Sequence, residues 1–211
     1  MLLLLSACSL DEVPIVEGPH CAPDVLGYVV ETLDGDTVKV VTASEVDFGG
    51  DVVTDDTGDD GGGTADDGEL PVLTVRMLGV DAPEIAHDEG EVADCYGVEA
   101  ENFTRATLLY RQVILSFDRT CTDAYDRALA YIFLTEETAT FDLAGCEAGD
   151  CTLPDEADAL AAAELLFDDM IIRNGYARVY EDFDNIRLAD VLYASQDAAK
   201  AKNIGLWATC E

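Results

Sequence analysis

Apolar residues along this chain fall mostly into short runs of strand length, with few helical stripes. Gly27-Tyr28-Val29-Val30-Glu31-Thr32-Leu33 and Thr37-Val38-Lys39-Val40-Val41 are β-rich runs on either side of Asp34-Gly35-Asp36. An Asp-Gly turn between two such runs predicts a hairpin. Val72 to Val80 is another β-rich run and ends at Asp81-Ala82-Pro83-Glu84, where the proline halts a ladder and stiffens the turn that follows. From Gly97 on, Ala100, Phe103, Ala106 or Thr107, and Tyr110 recur at helical spacing, predicting an amphipathic helix over 98–111. Val113 to Phe117 and Leu129 to Phe133 read as strands. Asp168 to Asn174 predicts a short helix closed by Gly175, and Arg187 to Asn203 a longer one closed by Gly205. The longer helix has Leu188, Val191, Leu192 and Ala199 on one face with Ser195 between them. Over 157–174 the period fits a continuous helix as well as two helices flanking a strand at Leu165 to Phe167.

Two stretches interrupt this pattern. Within about 44–70 the composition turns to Asp, Gly and Thr, and residues 51–69 hold eight acids and no base. That composition predicts a flexible insertion. Its oxygen spacing does not follow an EF-hand calcium loop, so it reads as a solvated loop. A second insertion, about 135–162, carries Cys146 and Cys151 and no other chemical signature. Residues 9–24 contain three prolines and no period, as a spacer would. With 211 residues, 49% of them hydrophobic, the chain can bury one sizeable core, so one domain over 25–211 is expected.

The first residues form a short apolar run ending in Leu5-Ser6-Ala7-Cys8. This resembles a bacterial lipoprotein signal over 1–8, with Cys8 as the lipidated residue, although basic residues are missing and the apolar run covers only Leu2 to Leu5. An exported protein follows, anchored to the membrane or secreted. No other stretch approaches the roughly 18 apolar residues of a transmembrane helix. Setting Cys8 aside leaves Cys21, Cys95, Cys121, Cys146, Cys151 and Cys210, an even set suited to three disulfides in an oxidising compartment. Six cysteines allow 15 connectivities, which the sequence does not choose between; a local Cys146–Cys151 loop and a Cys21–Cys210 bond pinning the two ends are candidates among them. Zinc is disfavoured, because the chain has no Cys-x-x-Cys pair and His20 and His87 lie at no ligand spacing from the cysteines.

Candidate chemistry sits at the strand ends. Asp36 and Asp81 each close a β-rich run, where a rigid scaffold can aim two carboxylates at one point, and hard carboxylate oxygens suit calcium or magnesium. Glu84 follows Asp81 across the proline turn. Arg76 lies within one strand run and Arg127 just before another, and guanidinium groups suit bidentate contact with phosphate. Phosphodiester cleavage needs an oriented water, a base and cations, and these residues supply such parts. Each motif alone is most often an ordinary turn. Their order along the chain is more specific.

In that order the sequence resembles the staphylococcal nuclease (thermonuclease) family. The matching blocks are Leu33 to Val40, Val75 to Glu84, Cys95 to Ala100 with Phe103, Asp123 to Ile132, Asn174 to Val179, and Ala198 to Trp207. The resemblance implies an α+β fold, a five-stranded OB-type β-barrel with about three helices, bearing the two loop insertions. It implies a calcium-dependent nuclease that cuts DNA and RNA as a monomer, with the 5′-oxygen leaving to give 3′-phosphate products. Asp36 and Asp81 would bind Ca2+ together with the backbone carbonyl of Ala82, and Asp34 would lie behind them. Glu84 would act as base or water orienter, Arg76 and Arg127 would hold the phosphate, and Tyr125 would contact a terminal phosphate or the nucleotide.

The chain also departs from that family. Ala82 replaces a frequent threonine, Asp126 stands where glycine usually precedes the arginine, and Asp168 occupies a usual asparagine position. Asp126 places a carboxylate where it could compete for Arg127. Eleven Lys and Arg against 45 Asp and Glu give a net charge of −34, and Lys39, Lys200 and Lys202 are the only lysines. A basic groove for a polyanion is therefore not expected, and the acidity points to work in saline surroundings, where repulsion is screened. The rival reading is a non-catalytic OB module tethered at the cell surface.

Overall fold

The computed structural model describes residues 20–43, 45–48, 70–86, 90–135, 163–180 and 187–210. Strands β1 (Val25–Thr32) and β2 (Thr37–Thr42) form the expected hairpin, antiparallel from Gly27↔Thr42 to Thr32↔Val38. Strand β3 (Val72–Met77) pairs with β2 from Thr37↔Arg76 to Val41↔Val72. Its residues alternate, with Leu73, Val75 and Met77 buried and Val72, Thr74 and Arg76 on the other face. That period of two directs the Arg76 side chain away from the core.

The run through Val80 is not one strand. It turns at Leu78 and Gly79, where Gly79 has a φ of 70°, and resumes as the short β4 (Val80–Asp81). Hydrophobicity alone does not reveal that break, since Met77, Leu78 and Val80 are all buried. Strands β5 (Gln112–Thr122) and β6 (Ala128–Thr135) outrun the expected segments at both ends and pair antiparallel.

Closure of the barrel depends on β6. Its first residues pair in parallel with β3, as Val75↔Ala128, Arg76↔Leu129 and Met77↔Ala130. Its last residues pair with β7 (Ala163–Leu166). The order β3-β2-β1-β5-β6 thus closes on itself as a five-stranded barrel, with β7 beyond β6. The segment that periodicity left open is therefore a strand followed by helix α2 (Phe167–Arg173). The long insertions connect antiparallel neighbours, β2 to β3 and β6 to β7, so strand register is set without them. Residues 49–69 and 136–162, with Cys146 and Cys151, lie outside the described residues, as do Cys8 and the segment before residue 20.

Helix α1 (Gly97–Leu108) buries Gly97, Ala100, Glu101, Thr104 and Leu108. This face is rotated from the apolar one predicted, and Tyr110 is exposed. The reason is polar packing. Thr104 Oγ1 donates to the Gly35 carbonyl at 2.6 Å, and Glu101 pairs with Arg105 at 2.6 Å beside Thr32. Phe103 instead stacks on Tyr176 with ring centroids 4.3 Å apart.

A two-residue strand β8 (Arg178–Val179) pairs with β4, placing Arg178 opposite Asp81. Gly175 follows α2 with a φ of 75°, as expected of a helix stop. Helix α3 (Ala189–Lys202), by contrast, ends on Asn203 in the left-handed region (φ 51°), and Gly205 instead precedes a one-turn helix α4 (Leu206–Thr209). Asparagine tolerates that conformation better than most residues, which moves the stop two positions forward. Leu192, Gln196 and Ala199 are the buried residues of α3; Gln196 accepts the Val179 N–H, and Ser195 bonds to Asp169.

Among the described residues two disulfides are formed, Cys21–Cys121 and Cys95–Cys210. The candidate Cys21–Cys210 pairing is therefore not the one formed. His20 bonds to the Phe117 carbonyl at 2.6 Å and Cys21 N–H to the Asp118 carbonyl at 2.7 Å, which seats the N-terminal segment on β5, away from Cys210. Each bond closes a loop of 100 residues or more, a constraint worth about 4–5 kcal/mol in the chain-entropy account.

Candidate active site

The Asp34-Gly35-Asp36 turn is packed from two sides. A Cβ on Gly35 would lie 2.5 Å from the Ala82 Cβ and 3.0 Å from that of Ala100, so only glycine lets the turn fit between β4 and α1. Asp34 Oδ1 accepts the Asp36 N–H at 2.9 Å, fixing the turn from behind. The Asp36 carboxylate is then held by Thr37 Oγ1 (3.1 Å), by the Ala82 N–H (2.8 Å) and by the Arg76 guanidinium, with Nη1 2.5 Å from Oδ2. The Arg76 contact is an ion pair and not an aligned hydrogen bond, since buried Nη1 finds no acceptor at hydrogen-bonding angles.

Burial pushes the Asp36 carboxyl up to about 7, and nearby Asp34 adds to this, while Arg76 and the Ala82 N–H pull the other way. Bonding of Ala82 to Asp36 brings the half-buried Asp81 to the same corner of the fold. Exposed Glu84 lies three residues on, past Pro83, and its carbonyl accepts the Asp94 N–H at 2.9 Å.

Arg76 also faces a cleft of about 390 Å³ whose walls include Gly79, Thr122, Asp123, Tyr125, Arg127 and Tyr180. Asp36, Asp81 and Glu84 are not among its lining residues, so Arg76 is the member common to the acidic corner and the cleft. Asp123 organises the far wall. Its Oδ1 accepts the N–H groups of Tyr125 (2.9 Å) and Arg127 (3.0 Å), and its Oδ2 accepts Arg127 Nε at 2.7 Å. Burial would raise the Asp123 carboxyl, but these bonds outweigh it and hold it below its ordinary range. Tyr125 is 81% exposed, with the Arg127 guanidinium 5.5 Å from its ring centre.

Contacts thus join Asp34, Asp36, Ala82 and Arg76 in one group, and the cleft joins Arg76 with Tyr125 and Arg127, while Asp81 and Glu84 are placed only by their positions beside Ala82 along the chain. The carboxylate that engages Arg127 is Asp123, whereas Asp126 is an exposed turn residue with φ of 60°. Asp123 and Tyr180 were not singled out by the sequence. An aspartate two residues before Tyr125 and four before Arg127 is the pattern of a side chain capping its own turn, and was a usable signal; Tyr180 had none.

Among the described residues no three His, Cys, Asp or Glu side chains converge on a metal position. The set expected for calcium has two carboxylates and a main-chain carbonyl. Its donors are hard oxygens of the kind calcium takes, and the buried Asp36 carboxylate with Asp34 behind it favours added positive charge, which Arg76 already supplies in part.

A closed five-strand barrel with three helices longer than one turn among the described residues, and arginines facing a cleft at the barrel seam, defines an OB-type fold of the nuclease-like kind. Residues 74–209 match the staphylococcal nuclease homologue family, and the chain belongs to that family. It is 41% identical over 70 residues to a thermonuclease of Staphylococcus intermedius, covering 33% of this chain and 41% of that protein. It is likewise 41% identical over 63 residues to a thermonuclease of Staphylococcus hyicus, covering 30% and 37%. The matches span about two fifths of the length of these relatives.

Proposed function

We propose that this chain is an exported, calcium-dependent nuclease that hydrolyses phosphodiester bonds of DNA and RNA as a monomer, with Cys8 as a lipid tether. The observation that carries the reading is the position of Arg76, paired with Asp36 on one side and facing the same cleft as Arg127 on the other. Asp36, Asp81 and the Ala82 carbonyl would hold Ca2+, which when bound supplies positive charge to the phosphate and a place for the attacking water. Glu84 takes a proton from the attacking water as the water oxygen bonds to phosphorus. Arg76 and Arg127 neutralise the charge that gathers on the phosphate oxygens. The bond from phosphorus to the 5′-oxygen breaks, that oxygen takes up a proton, and a 3′-phosphate remains. Tyr125, exposed beside Arg127, meets the nucleotide or its terminal phosphate.

The test is cleavage of plasmid DNA and of RNA by the oxidised chain in calcium and in chelator, beside Glu84→Gln. Calcium-dependent cleavage that the variant loses by about a hundredfold or more is expected. No calcium-dependent cleavage, or equal cleavage by the variant, favours the non-catalytic binding module.

A further inference from the structure

Glu84 stands on a segment without regular secondary structure between β4 and α1, so whatever fixes it must come from neighbouring parts of the fold. Two main-chain contacts do so. The Asp94 N–H donates to the Glu84 carbonyl at 2.9 Å, and the Gly97 N–H donates to the Asp94 carbonyl at 3.0 Å. Gly97 itself lies against Glu84 so closely that a Cβ there would sit 2.3 Å from the Glu84 carbonyl oxygen and 3.0 Å from that of Pro83. The 94–97 segment is therefore the seat on which Glu84 rests.

Cys95, in the middle of that seat, is bonded to Cys210, with the two Cα atoms 5.7 Å apart. Cys210 is a firm anchor. Its N–H donates to the Leu206 carbonyl (2.9 Å), the Leu206 N–H donates to the Gly175 carbonyl (2.8 Å), and Leu206, Trp207 and Ala199 form a buried cluster on which Tyr96 also packs. The other disulfide does not touch this seat: it holds residues 20–22 to the end of β5, where Thr120 and Thr122 on either side of Cys121 line the cleft.

We infer that the Cys95–Cys210 disulfide is a positioning element for Glu84: it ties the 94–97 seat to the C-terminal helix cluster and so sets where the Glu84 segment lies. This rests on the reading of Glu84 as the base. Loss of the bond lets the seat move while the metal-binding carboxylates and the two arginines, held by β-strands and by Asp123, stay in place. Turnover then falls while substrate binding is kept, a pattern that mere loss of stability does not produce at temperatures where the protein stays folded.

The test compares the full oxidised chain with Cys95→Ala/Cys210→Ala and with Cys21→Ala/Cys121→Ala, which removes a loop constraint of similar length. Assays use plasmid DNA with calcium, below the melting temperature of all three. The first variant is expected to lose about tenfold to a hundredfold in kcat with KM within about twofold; the second, whose Cys121 lies between the cleft-lining Thr120 and Thr122, controls for the lost loop constraint through its melting temperature and its Asp94 exchange. Amide exchange adds a readout independent of catalysis, with Asp94 N–H protection falling in the first variant alone. Unchanged kcat in the first variant, a loss that falls on KM and not on kcat, or an Asp94 amide protected as in the parent overturns the inference. A parent chain that is inactive with calcium, or indifferent to Glu84→Gln, marks failure of the nuclease reading, and Asp94 exchange then decides the positioning role alone.

Discussion

Arg76 is the counter-ion of Asp36: its Nη1 lies 2.5 Å from the Asp36 Oδ2, with the carboxylate side chain 5% and the arginine side chain 16% exposed. Removing one partner of such a pair strands the other. Arg76→Met is expected to lower unfolding free energy by about 3 kcal/mol in chelator at pH 8. Arg76 pulls down a carboxyl that burial has raised to about 7, so without it Asp36 keeps its proton to still higher pH. The penalty is therefore largest above neutrality and shrinks at pH 5, where Asp36 is already neutral. Denaturant unfolding at the two pH values checks this, and an equal penalty at both would contradict it.

Asp123 and Asp126 flank the same arginine with different duties. Asp123→Ala frees Arg127 and two turn amides together, and kcat/KM is expected to drop about tenfold or more. Asp126→Gly relieves a left-handed φ and removes a charge without touching the Arg127 partner. Its expected effect is a KM two- to threefold lower, by an order-of-magnitude reckoning, in dilute buffer and unchanged at 1 M salt. Steady-state kinetics on one oligonucleotide at both ionic strengths separates the two.

Asp168 is wholly buried, with Oδ2 accepting the Ile132 N–H at 2.8 Å and Oδ1 without a partner. Burial raises its carboxyl from 3.8 to about 8 despite the Ile132 bond. The folded state thus keeps a proton that the unfolded chain releases near 3.8. The stability this gives is complete below 3.8 and is lost progressively as pH rises to about 8. Asp168→Asn has no such slope, and its advantage over the parent should grow between pH 4 and 8 and then level off, at a few kcal/mol on the order of 2–5. Melting curves across that range provide the measurement; parallel curves would refute the assignment.

The acidic surface leads to a salt prediction. With a charge of −34 and three lysines, substrate binding must rest on local contacts at the site, while diffuse repulsion is screened over about 8 Å at physiological ionic strength and about 3 Å at 1 M. Activity measured from roughly 0.05 to 1 M NaCl should hold or rise, where counterion release would make a basic binder's activity fall steeply. A steep monotonic fall sinks the idea.

Much of this was legible in the sequence because strand ends and turns have strong chemistry. Asp34-Gly35-Asp36 could be placed as a turn between two β-rich runs and Arg76 within the strand run that follows, while their roles came from the family resemblance. What escaped was set by partners distant in the chain. The buried face of α1 is chosen by Thr104 and Glu101 bonding to the first hairpin, which hydrophobic period cannot see. The break at Leu78 and Gly79 is hidden inside an apolar run, and the disulfide pairing depends on which surface the N-terminal segment reaches. Asp123 carried a local signal that went unused.

The seam of the barrel has a further consequence. Arg76 stands on β3 opposite Leu129 of β6, two residues from Arg127, across the parallel pairing that closes the sheet. The two guanidinium groups therefore become neighbours only when the circle of strands is completed. An open sheet carries each of them, but on opposite edges. Under the proposed nuclease reading, folding and arming are one event, and a partly unfolded chain lacks the assembled pair of arginines.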